Sequence, residues 1–358
     1  MNPKPVPPPE DETPDLTAII ARATHPDPLD SDVAEAAFHA IMQGYATPVQ
    51  IAALLVALRT RREGPAEVAG GVRALRRAMI PVAAADPDNL VDTCGTGGGA
   101  LTTFNISTAA AFVAAGAGVR IAKHGNRSFS SRCGSADILE ALGVHIELTP
   151  DGMADVLERA GIVFMFAPLL HPAMRHVAPV RRELRMPTIM NLLGPLTNPA
   201  GARRQVVGVA DPALLELIAH ALQQLGHLRA LVVHGEPGMD EISPIGTTKM
   251  VELRDGAVTT RTVDLHAHFD HRSLDPADLA GGDPADNARL VMDVLKGRAP
   301  AAARAAVVLN AAAAIYVADR ADTLDDGVTR AVESIDTGAA HDAFERLRIA
   351  AATAERVR

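Results

Sequence analysis

The sequence has little of what several common kinds of binding surface require. Tryptophan is absent and aromatic residues make up only 3% of the 358 positions, so platforms on which nucleic-acid bases stack are scarce. The formal net charge is −9 and no basic stripe runs along the chain, which argues against nucleic acid or an anionic membrane as the main partner. No uncharged apolar stretch reaches the roughly 18 residues of a membrane span. We therefore expect a soluble protein.

Cysteine is rare as well, with Cys94 and Cys133 the only two. Their spacing fits neither a metal site nor a disulfide framework, so a reduced, cytoplasmic setting is expected. A nucleophilic role for Cys94 would need a His–Asp partner arrangement, which is not evident, and a small buried side chain is favoured. Residues 1–14 are rich in proline and acid and lack the apolar core of a signal peptide. We expect them to form a disordered tail.

The remaining chain shows two kinds of pattern, and its length suits two domains or one large α/β unit. Residues 15–86 read as consecutive amphipathic helices, one of them beginning at Thr47-Pro48 with a capping oxygen followed by proline. From about residue 88, short apolar runs alternate with helical patterns, as in a largely parallel sheet flanked by helices. The predicted strands are 90–94, 119–122, 144–146, 163–166, 206–209 and 231–233, followed by a hairpin of 249–254 and 258–263 around Asp255-Gly256.

Two loops that follow predicted strands carry the features of a phosphate site. Glycines at 95, 97, 98 and 99 let backbone N–H groups approach an anion closely. Asn105, Ser107 and Thr108 then open an apolar run as capping residues do, and a helix N-terminus favours negative charge. The second loop, 123–131, brings the positive charges of Lys123 and Arg127. Ligands of such sheets bind beyond the carboxyl ends of the strands, so both loops should share one rim and hold a phosphorylated small molecule.

Other interpretations of the glycine loop fit less well. Gly95-x-Gly97-x-x-Ala100 matches the dinucleotide fingerprint, but the residues near 120–123, where an acidic ribose ligand is needed, are basic. The Walker pattern fails because no Gly-Lys-Ser/Thr follows. A glycine turn without a ligand is common for one such loop, but it is disfavoured once the other motifs are counted.

Three further parts of the sequence could carry chemistry. Asp240 and Glu241 follow a predicted strand at the same rim; they form either an ordinary acidic turn or, beside a pyrophosphate site, the oxygen ligands of Mg²⁺. Arg181 or Arg182 could bind a carboxylate bidentately or face solvent. His124 either contacts substrate or transfers a proton, or it only packs within its turn.

Taken together, these segments resemble the anthranilate phosphoribosyltransferases of tryptophan synthesis over nearly the whole chain after the tail. The resemblance rests on residues 44–51, 94–98, 105–108, 123–127, 171–174, 191–199 and 240–243. It implies an α/β fold: a small all-helical domain at 15–86, completed by helices around 175–200, and a large α/β domain at 87–358 with a mostly parallel central sheet. It also implies a site in the cleft between the domains and a homodimer formed through the small domain. The implied reaction transfers phosphoribosyl from 5-phosphoribosyl 1-diphosphate to the amine of anthranilate.

The resemblance also assigns residues to roles. Asn126 and Arg181 would bind anthranilate with Gly95 beside them, and Ser107, Asp240 and Glu241 would bind Mg²⁺, expected as two ions with the diphosphate donor. Lys123 and His124 are the candidate catalytic residues. The residues implied in substrate binding, chiefly of the diphosphate sugar, are Gly95, Gly98, Gly99, Thr103, Asn105, Ile106, Ser107, Thr108, Lys123, His124, Gly125, Asn126, Arg127, Ser128, Phe129, Ser130, Ser131 and Ser135.

One residue departs from the family pattern, and two alternative functions fit the sequence less well. Gly99 stands where the family's loop usually has aspartate, and we expect weaker donor binding at most because Asp240 and Glu241 remain. A pyrimidine nucleoside phosphorylase of related architecture would use inorganic phosphate and need no acidic metal pair. A non-catalytic relative that binds nucleic acid or nucleotides should show a basic surface, which the charge of −9 disfavours.

Overall fold

The computed structural model describes residues 14–128, 132–265, 268–270 and 274–357. Contacts divide them into two compact units, a helical unit of residues 14–80 with His171–Thr197 and an α/β unit containing Pro81–Leu170 and the described residues from Asn198 onward. The tail predicted at 1–14 falls outside the described residues except for Pro14. The fold class predicted from the sequence is confirmed. The predicted domain limits, 15–86 and 87–358, stay a prediction.

In chain order the α-helices are α1 Leu16–Ala23, α2 Ser31–Met42, α3 Pro48–Arg61, α4 Pro65–Ala78, α5 Ile106–Gly116, α6 Ser135–Ala141, α7 Pro150–Ala160, α8 Ala167–Leu170, α9 Ala178–Leu184, α10 Met190–Leu193, α11 Leu214–Gln224, α12 Pro284–Leu295, α13 Ala301–Val317, α14 Leu324–Asp336 and α15 Ala339–Thr353. The strands are β1 Leu90–Gly95, β2 Arg120–Gly125, β3 Ile162–Phe166, β4 Arg204–Gly208, β5 Arg229–Gly235, β6 Thr248–Arg254 and β7 Ala257–Val263. In the described part of the chain, no helix is long and apolar enough to cross a membrane.

Helix α3 of the helical unit begins with a capping pattern that is visible in the sequence. Thr47 and Gln50 form a reciprocal capping box at the start of α3, with Gln50 N–H donating to Thr47 Oγ1 at 3.2 Å. Helices α2 and α4 then pack closely. Gly70 permits this, because a Cβ there would lie 2.2 Å from the Ser31 carbonyl oxygen. The predicted helix start at Thr47-Pro48 is confirmed.

The α/β unit is built on one sheet whose described strands lie in the order β3-β2-β1-β4-β5-β6-β7. The first five are parallel, and β6 and β7 add an antiparallel hairpin. The predicted hairpin turn is confirmed, since Asp255 and Gly256 take φ values of 51° and 75° between Arg254 and Ala257. Helix α13 is buried almost all round and packs against α5 and α14. The core of this unit therefore includes both the sheet and a central helix.

The prediction of a strand at 144–146 was wrong. Val144, Ile146 and Leu148 are buried and alternate with exposed residues, so the segment is extended as its pattern indicated. Its neighbour, however, is the C-terminal segment, and the two share only the single bridge Leu148↔Arg356. Alternation reports which side chains are buried, whereas a strand also requires a continuous hydrogen-bonded partner.

Candidate active site

Parallel pairing brings the predicted loops to one edge of the sheet. Strands β2, β1, β4 and β5 are neighbours in that order, so the segments that follow them meet at their shared carboxyl ends. Strand β1 lies between β2, which follows it in the chain, and β4, which the chain reaches later. The direction of strand order therefore reverses between β1 and β4, and ligands of open α/β sheets bind at such a reversal. The glycine loop sits at this point.

The glycine loop needs glycine for its backbone conformation. Gly97 and Gly98 have φ values of 69° and 85°, and a Cβ at either position would meet no atom within 4 Å. Left-handed backbone rather than crowding therefore selects glycine here. The loop is fixed at its ends, where Thr96 N–H donates to Gly208 O at 2.9 Å and Ala100 N–H donates to Gly238 O at 3.0 Å.

Asp240 and Glu241 reach the glycine loop and helix α5. Cβ positions built at Gly95 and Gly99 would lie 3.0 and 3.2 Å from the two carboxylate oxygens of Asp240. Gly97 N–H donates to Asp240, and Ser107 N–H donates to Glu241. Burial raises the pKa of both carboxyl groups, and the neighbouring Asp240 raises that of Glu241 further. Two acids thus lie beside the backbone N–H groups that are expected to hold an anion. A bound cation would offset the repulsion between these acids and that anion.

Lys123 lies in the middle of this rim and is only 4% exposed. Its ammonium group donates to Thr93 O, and it lies 3.3 Å from both Thr93 Oγ1 and Ser107 Oγ. Burial lowers the pKa of Lys123, while Asp92 and, more weakly, Glu241 raise it. The lysine is therefore a buried cation placed between the two loops, beside the predicted metal ligand Ser107.

The start of helix α5 differs in detail from the prediction. The helix begins at Ile106 with Asn105 as its N-cap residue, as expected, but the Asn105 side chain does not cap it. That side chain donates instead to Cys133 O at 3.2 Å and accepts from Asn287 Nδ2 at 3.0 Å. Ile106 and Thr108 are buried to within 2%, so their side chains face the core, and only their backbones remain for a substrate.

The second loop is organised by an acid that the sequence reasoning missed. Asp137 accepts from Ser128 N–H at 3.1 Å and Gly134 N–H at 2.8 Å. It also pairs with Arg127, which Glu140 holds as well. The positive charge of Arg127, predicted to serve the phosphate site, is thus paired with two acids of helix α6. The local signal was Asp137 three residues after Gly134, at the third position of helix α6.

The remaining predicted site residues lie in or near the two loops or fall outside the described chain. Ser135 Oγ donates to Asn126 O at 3.2 Å, which closes the loop, and a Cβ at Gly125 would clash with that hydroxyl at 2.2 Å. His124 donates its backbone N–H to Asp92 Oδ1 at 3.2 Å, and both alternatives for its ring stand. Thr103 forms a bridge with Ala280 at the edge of the glycine loop. Phe129, Ser130 and Ser131 fall outside the described residues.

Arg181 belongs to the helical unit and lies near the end of α9. Its side chain is partly buried, whereas that of Arg182 is exposed. Burial lowers the pKa of Arg181. No carboxylate of the described residues lies within 4.0 Å of its guanidinium group. A half-buried arginine without an ion-pair partner in the described chain is suited to bind an external carboxylate.

Comparison with known proteins decides the family. The α/β domain of the glycosyl transferase family matches residues 87–341, and its helical bundle domain matches residues 17–79. The anthranilate phosphoribosyltransferase of Rubrobacter xylanophilus is 52% identical over 92% of this chain and 96% of its own. That of Thermomicrobium roseum is 52% identical over 90% of this chain and 92% of its own. The chain belongs to the anthranilate phosphoribosyltransferase family.

Solved structures agree with this membership. The anthranilate phosphoribosyltransferase of Thermus thermophilus superposes with a TM-score of 0.87 at 43% identity, covering 93% of this chain and 99% of the other. The Saccharomyces cerevisiae enzyme in complex with PRPP and Mg superposes with a TM-score of 0.84 at 25% identity, covering 94% and 98%. The protein is a glycosyltransferase of the pentosyl-transferring kind that acts in tryptophan biosynthesis, and its reaction moves phosphoribosyl from 5-phosphoribosyl 1-diphosphate to anthranilate.

Gly99 is the position at which the sequence resemblance led us to expect an aspartate. A Cβ at Gly99 would lie 3.2 Å from Asp240 Oδ1 and 3.2 Å from Gly238 O. Both contacts are tight and would need the neighbours to give by a few tenths of an ångström. A side chain at this position therefore interacts directly with the predicted metal ligand Asp240. The expected effect on donor binding stays a prediction.

Proposed function

We propose that the rim of the α/β unit binds the diphosphate of 5-phosphoribosyl 1-diphosphate together with Mg²⁺, and that Arg181 binds the carboxylate of anthranilate. One observation carries the first part of this proposal: at the strand reversal, half-buried Asp240 faces the left-handed glycine loop, while half-buried Glu241 and buried Lys123 lie beside Ser107 at the start of α5. Phosphate binds well to backbone N–H groups at such loops and at helix N-termini. The acids would then be the part of the site that recognises the accompanying cation.

The residues present fit a magnesium ion. Asp240, Glu241 and the Ser107 hydroxyl are hard oxygen donors, the kind that Mg²⁺ prefers. Within the described residues, no group of three or more His, Cys, Asp and Glu could hold a metal. Mg²⁺ commonly takes one or two carboxylates from the protein and the remaining ligands from substrate phosphates and water. When bound, the ion would neutralise charge on the diphosphate. The proposal includes two such ions.

The chemistry makes modest demands on the protein. The bond between ribose C1 and the pyrophosphate oxygen breaks, the anthranilate nitrogen bonds to C1, and that nitrogen then loses a proton to water. The amine is uncharged at neutral pH, so it needs no base before it attacks. The leaving pyrophosphate gains negative charge, which the Lys123 ammonium and the glycine-loop N–H groups are placed to stabilise. Catalysis then comes from positioning and electrostatics.

The direct test follows the fluorescence of anthranilate after mixing with 5-phosphoribosyl 1-diphosphate, with and without Mg²⁺. Loss of fluorescence that requires both the donor and the metal is the expected result. The phosphorylase alternative is tested in parallel with a pyrimidine nucleoside and inorganic phosphate, for which no reaction is expected. Phosphorolysis without consumption of anthranilate would overturn the proposal.

Replacing Gly99 by aspartate should strengthen metal binding. The new carboxylate would lie beside Asp240, since a Cβ at position 99 would be 3.2 Å from Asp240 Oδ1, and added ligand charge tightens the binding of hard cations. We expect the Mg²⁺ concentration for half-maximal turnover to fall by about threefold to tenfold, the effect of up to about 1.4 kcal/mol. Gly99→Ala is the matched control, because it introduces the same Cβ without charge. Equal metal requirements in the two variants would contradict the prediction.

We also propose that two copies of the chain associate through the helical unit and that the enzyme works in the cytoplasm. Val49, at the start of α3, is 78% exposed, and Tyr45 just before it is also exposed. Both cysteines are in the reduced thiol form, as a reducing compartment favours. In sedimentation equilibrium we expect a dimer that Val49→Asp weakens at least about tenfold, since one charge buried at an interface costs more than 1.4 kcal/mol. Ile349→Asp, at an exposed apolar residue of the other unit, should leave the dimer unchanged. Equal effects of the two variants would count against this interface.

A further inference from the structure

Strands β1 and β2 separate at their carboxyl ends. Their described pairing consists of Leu90↔Arg120 and Val91↔Ile121. In contrast, β1 stays paired with β4 as far as Gly95↔Gly208, and β2 stays paired with β3 as far as Gly125↔Phe166. Beyond Val91 the two strands are joined by side chains. We call this region, made of Asp92, Lys123, His124 and Asn198, the β1–β2 junction.

Asp92 connects three parts of the α/β unit from inside the junction. Its side chain is fully buried. Oδ1 accepts from His124 N–H on β2 at 3.2 Å, and Oδ2 accepts from Asn198 Nδ2 at 2.8 Å and from Gln205 Nε2 on β4 at 3.4 Å. A carboxylate is well suited to this place because it accepts several hydrogen bonds and donates none.

Asn198 fills the gap from the other side and is 1% exposed. Its Nδ2 group donates to Asp92 Oδ2 and to Ala122 O on β2, both at 2.8 Å. Its Oδ1 accepts from Ala200 N–H at 3.0 Å. Because the amide has acceptors on the nitrogen side and a donor on the oxygen side, only one orientation satisfies it. Asn198 thereby holds Asp92 at a set distance from β2.

The junction is where Lys123 crosses from β2 to β1. Its ammonium group donates to Thr93 O and reaches to 3.3 Å from Ser107 Oγ at the start of helix α5. Burying an ammonium group is costly unless an opposite charge offsets it. Asp92 is the strongest of the nearby negative groups that favour the charged form of Lys123. The same carboxylate thus sets the spacing of the strands and compensates the charge of the lysine.

We propose that Asp92 and Asn198 are positioning residues for phosphoribosyl transfer: they keep the β1–β2 junction open and hold the Lys123 ammonium group at the edge where the diphosphate binds. This inference rests on the proposed function of the rim. Neither residue needs to touch the substrate, since both act through Lys123. Asp92 and Asn198 orient Lys123 and favour its charged form, as residues behind a ligand-binding group commonly do.

The central test is Asp92→Asn in the full-length protein. We expect kcat/KM for 5-phosphoribosyl 1-diphosphate to fall about 10- to 100-fold, the usual cost of removing an outer-shell partner. The KM for anthranilate should stay within about twofold, because the acceptor site is not touched. Burial raises the pKa of Asp92 to about 6. Asparagine can accept fewer of these hydrogen bonds and leaves the buried Lys123 ammonium without its strongest compensating charge, so the melting temperature is expected to fall and the kinetics are compared well below it.

A double-mutant cycle with Lys123→Ala shows whether Asp92 acts through the lysine. Because Asp92 is inferred to act through Lys123, Asp92→Asn should lower kcat/KM little further once Lys123 has been removed. The inference would be overturned if the two substitutions lowered kcat/KM independently, so that their fold losses multiplied. It would also be overturned by a lowered melting temperature with both KM values unchanged, which is the result that a purely structural role predicts. Asn89→Ala, at an exposed hydrogen bond to Asp86, is the control and should retain wild-type kinetics.

Asn198→Ala keeps the inference testable if Asp92→Asn does not fold. Its binding of magnesium pyrophosphate, measured by calorimetry, should weaken about tenfold or more. Wild-type affinity in a folded Asn198→Ala protein would overturn the inference while leaving the proposed function intact. Failure of the proposed function would look different, because the wild-type protein itself would then not consume anthranilate.

Discussion

Replacing Asp240 by asparagine and Glu241 by glutamine together should lower turnover at least about 1000-fold, since each removed electrostatic contact to the reacting charge costs about 100-fold or more. The physical reason is that these are the two acids that face the glycine loop and the start of α5. Without them the diphosphate would lose the proposed protein ligands of its Mg²⁺. The measurement is the rate of anthranilate consumption as a function of Mg²⁺ concentration.

The fold should survive this double replacement. Burial raises the pKa of both acids, so their ionised forms are disfavoured by folding and neutral amides relieve that cost. We expect a melting temperature at or above that of the unaltered protein. Glu147→Gln with Asp151→Asn, an exposed acidic pair of the same unit, should leave turnover unchanged. An active Asp240→Asn/Glu241→Gln enzyme with the original metal dependence would show that the acids are not the metal ligands.

Replacing Arg181 by alanine should raise the KM for anthranilate about 100-fold, the effect of losing two charge-assisted hydrogen bonds worth roughly 3 kcal/mol together. Arg181 is the partly buried arginine of α9, and no acid of the described chain pairs with it. A bidentate contact to the anthranilate carboxylate would account for both features. Initial rates measured while each substrate is varied separately give the two KM values.

The donor provides the internal comparison for this variant. The KM for 5-phosphoribosyl 1-diphosphate should change by no more than about twofold, because uniform binding of only one substrate is lost. Arg182→Ala is the matched control, since Arg182 is adjacent in sequence but exposed. Equal increases in both KM values, or an equal effect of Arg182→Ala, would refute the role assigned to Arg181.

Local signals predicted much of the backbone correctly. The helix start at Thr47-Pro48 and the Asp255-Gly256 turn each depend on interactions within a few residues. Such interactions can be predicted from sequence because propensity and hydrogen-bonding geometry act over that range. The same reasoning failed for 144–146, where the alternating burial was right but the pairing partner lay near residue 356.

The partners of the polar side chains at the site could not be predicted from local signals. Arg127 was expected to bring positive charge to the phosphate site, which stays a prediction, and the structure adds that Asp137 and Glu140 pair with it. Asn105 was expected to cap α5, and its side chain joins Cys133 and Asn287. In each case the residue type indicated a capability correctly. Which partner satisfies it depends on what the fold brings within hydrogen-bond distance.

By itself, the sequence determined the fold class, the family, the glycine loop and the acids that follow β5. Only the tertiary structure decided which polar groups compensate one another. Asp92 and Asn198 are 106 positions apart in the chain, yet Asn198 Nδ2 lies 2.8 Å from Asp92 Oδ2. No local pattern marks these residues as partners. The physical reason is that local patterns encode backbone preference and burial, while compensation of a buried charge depends on sheet register and strand order.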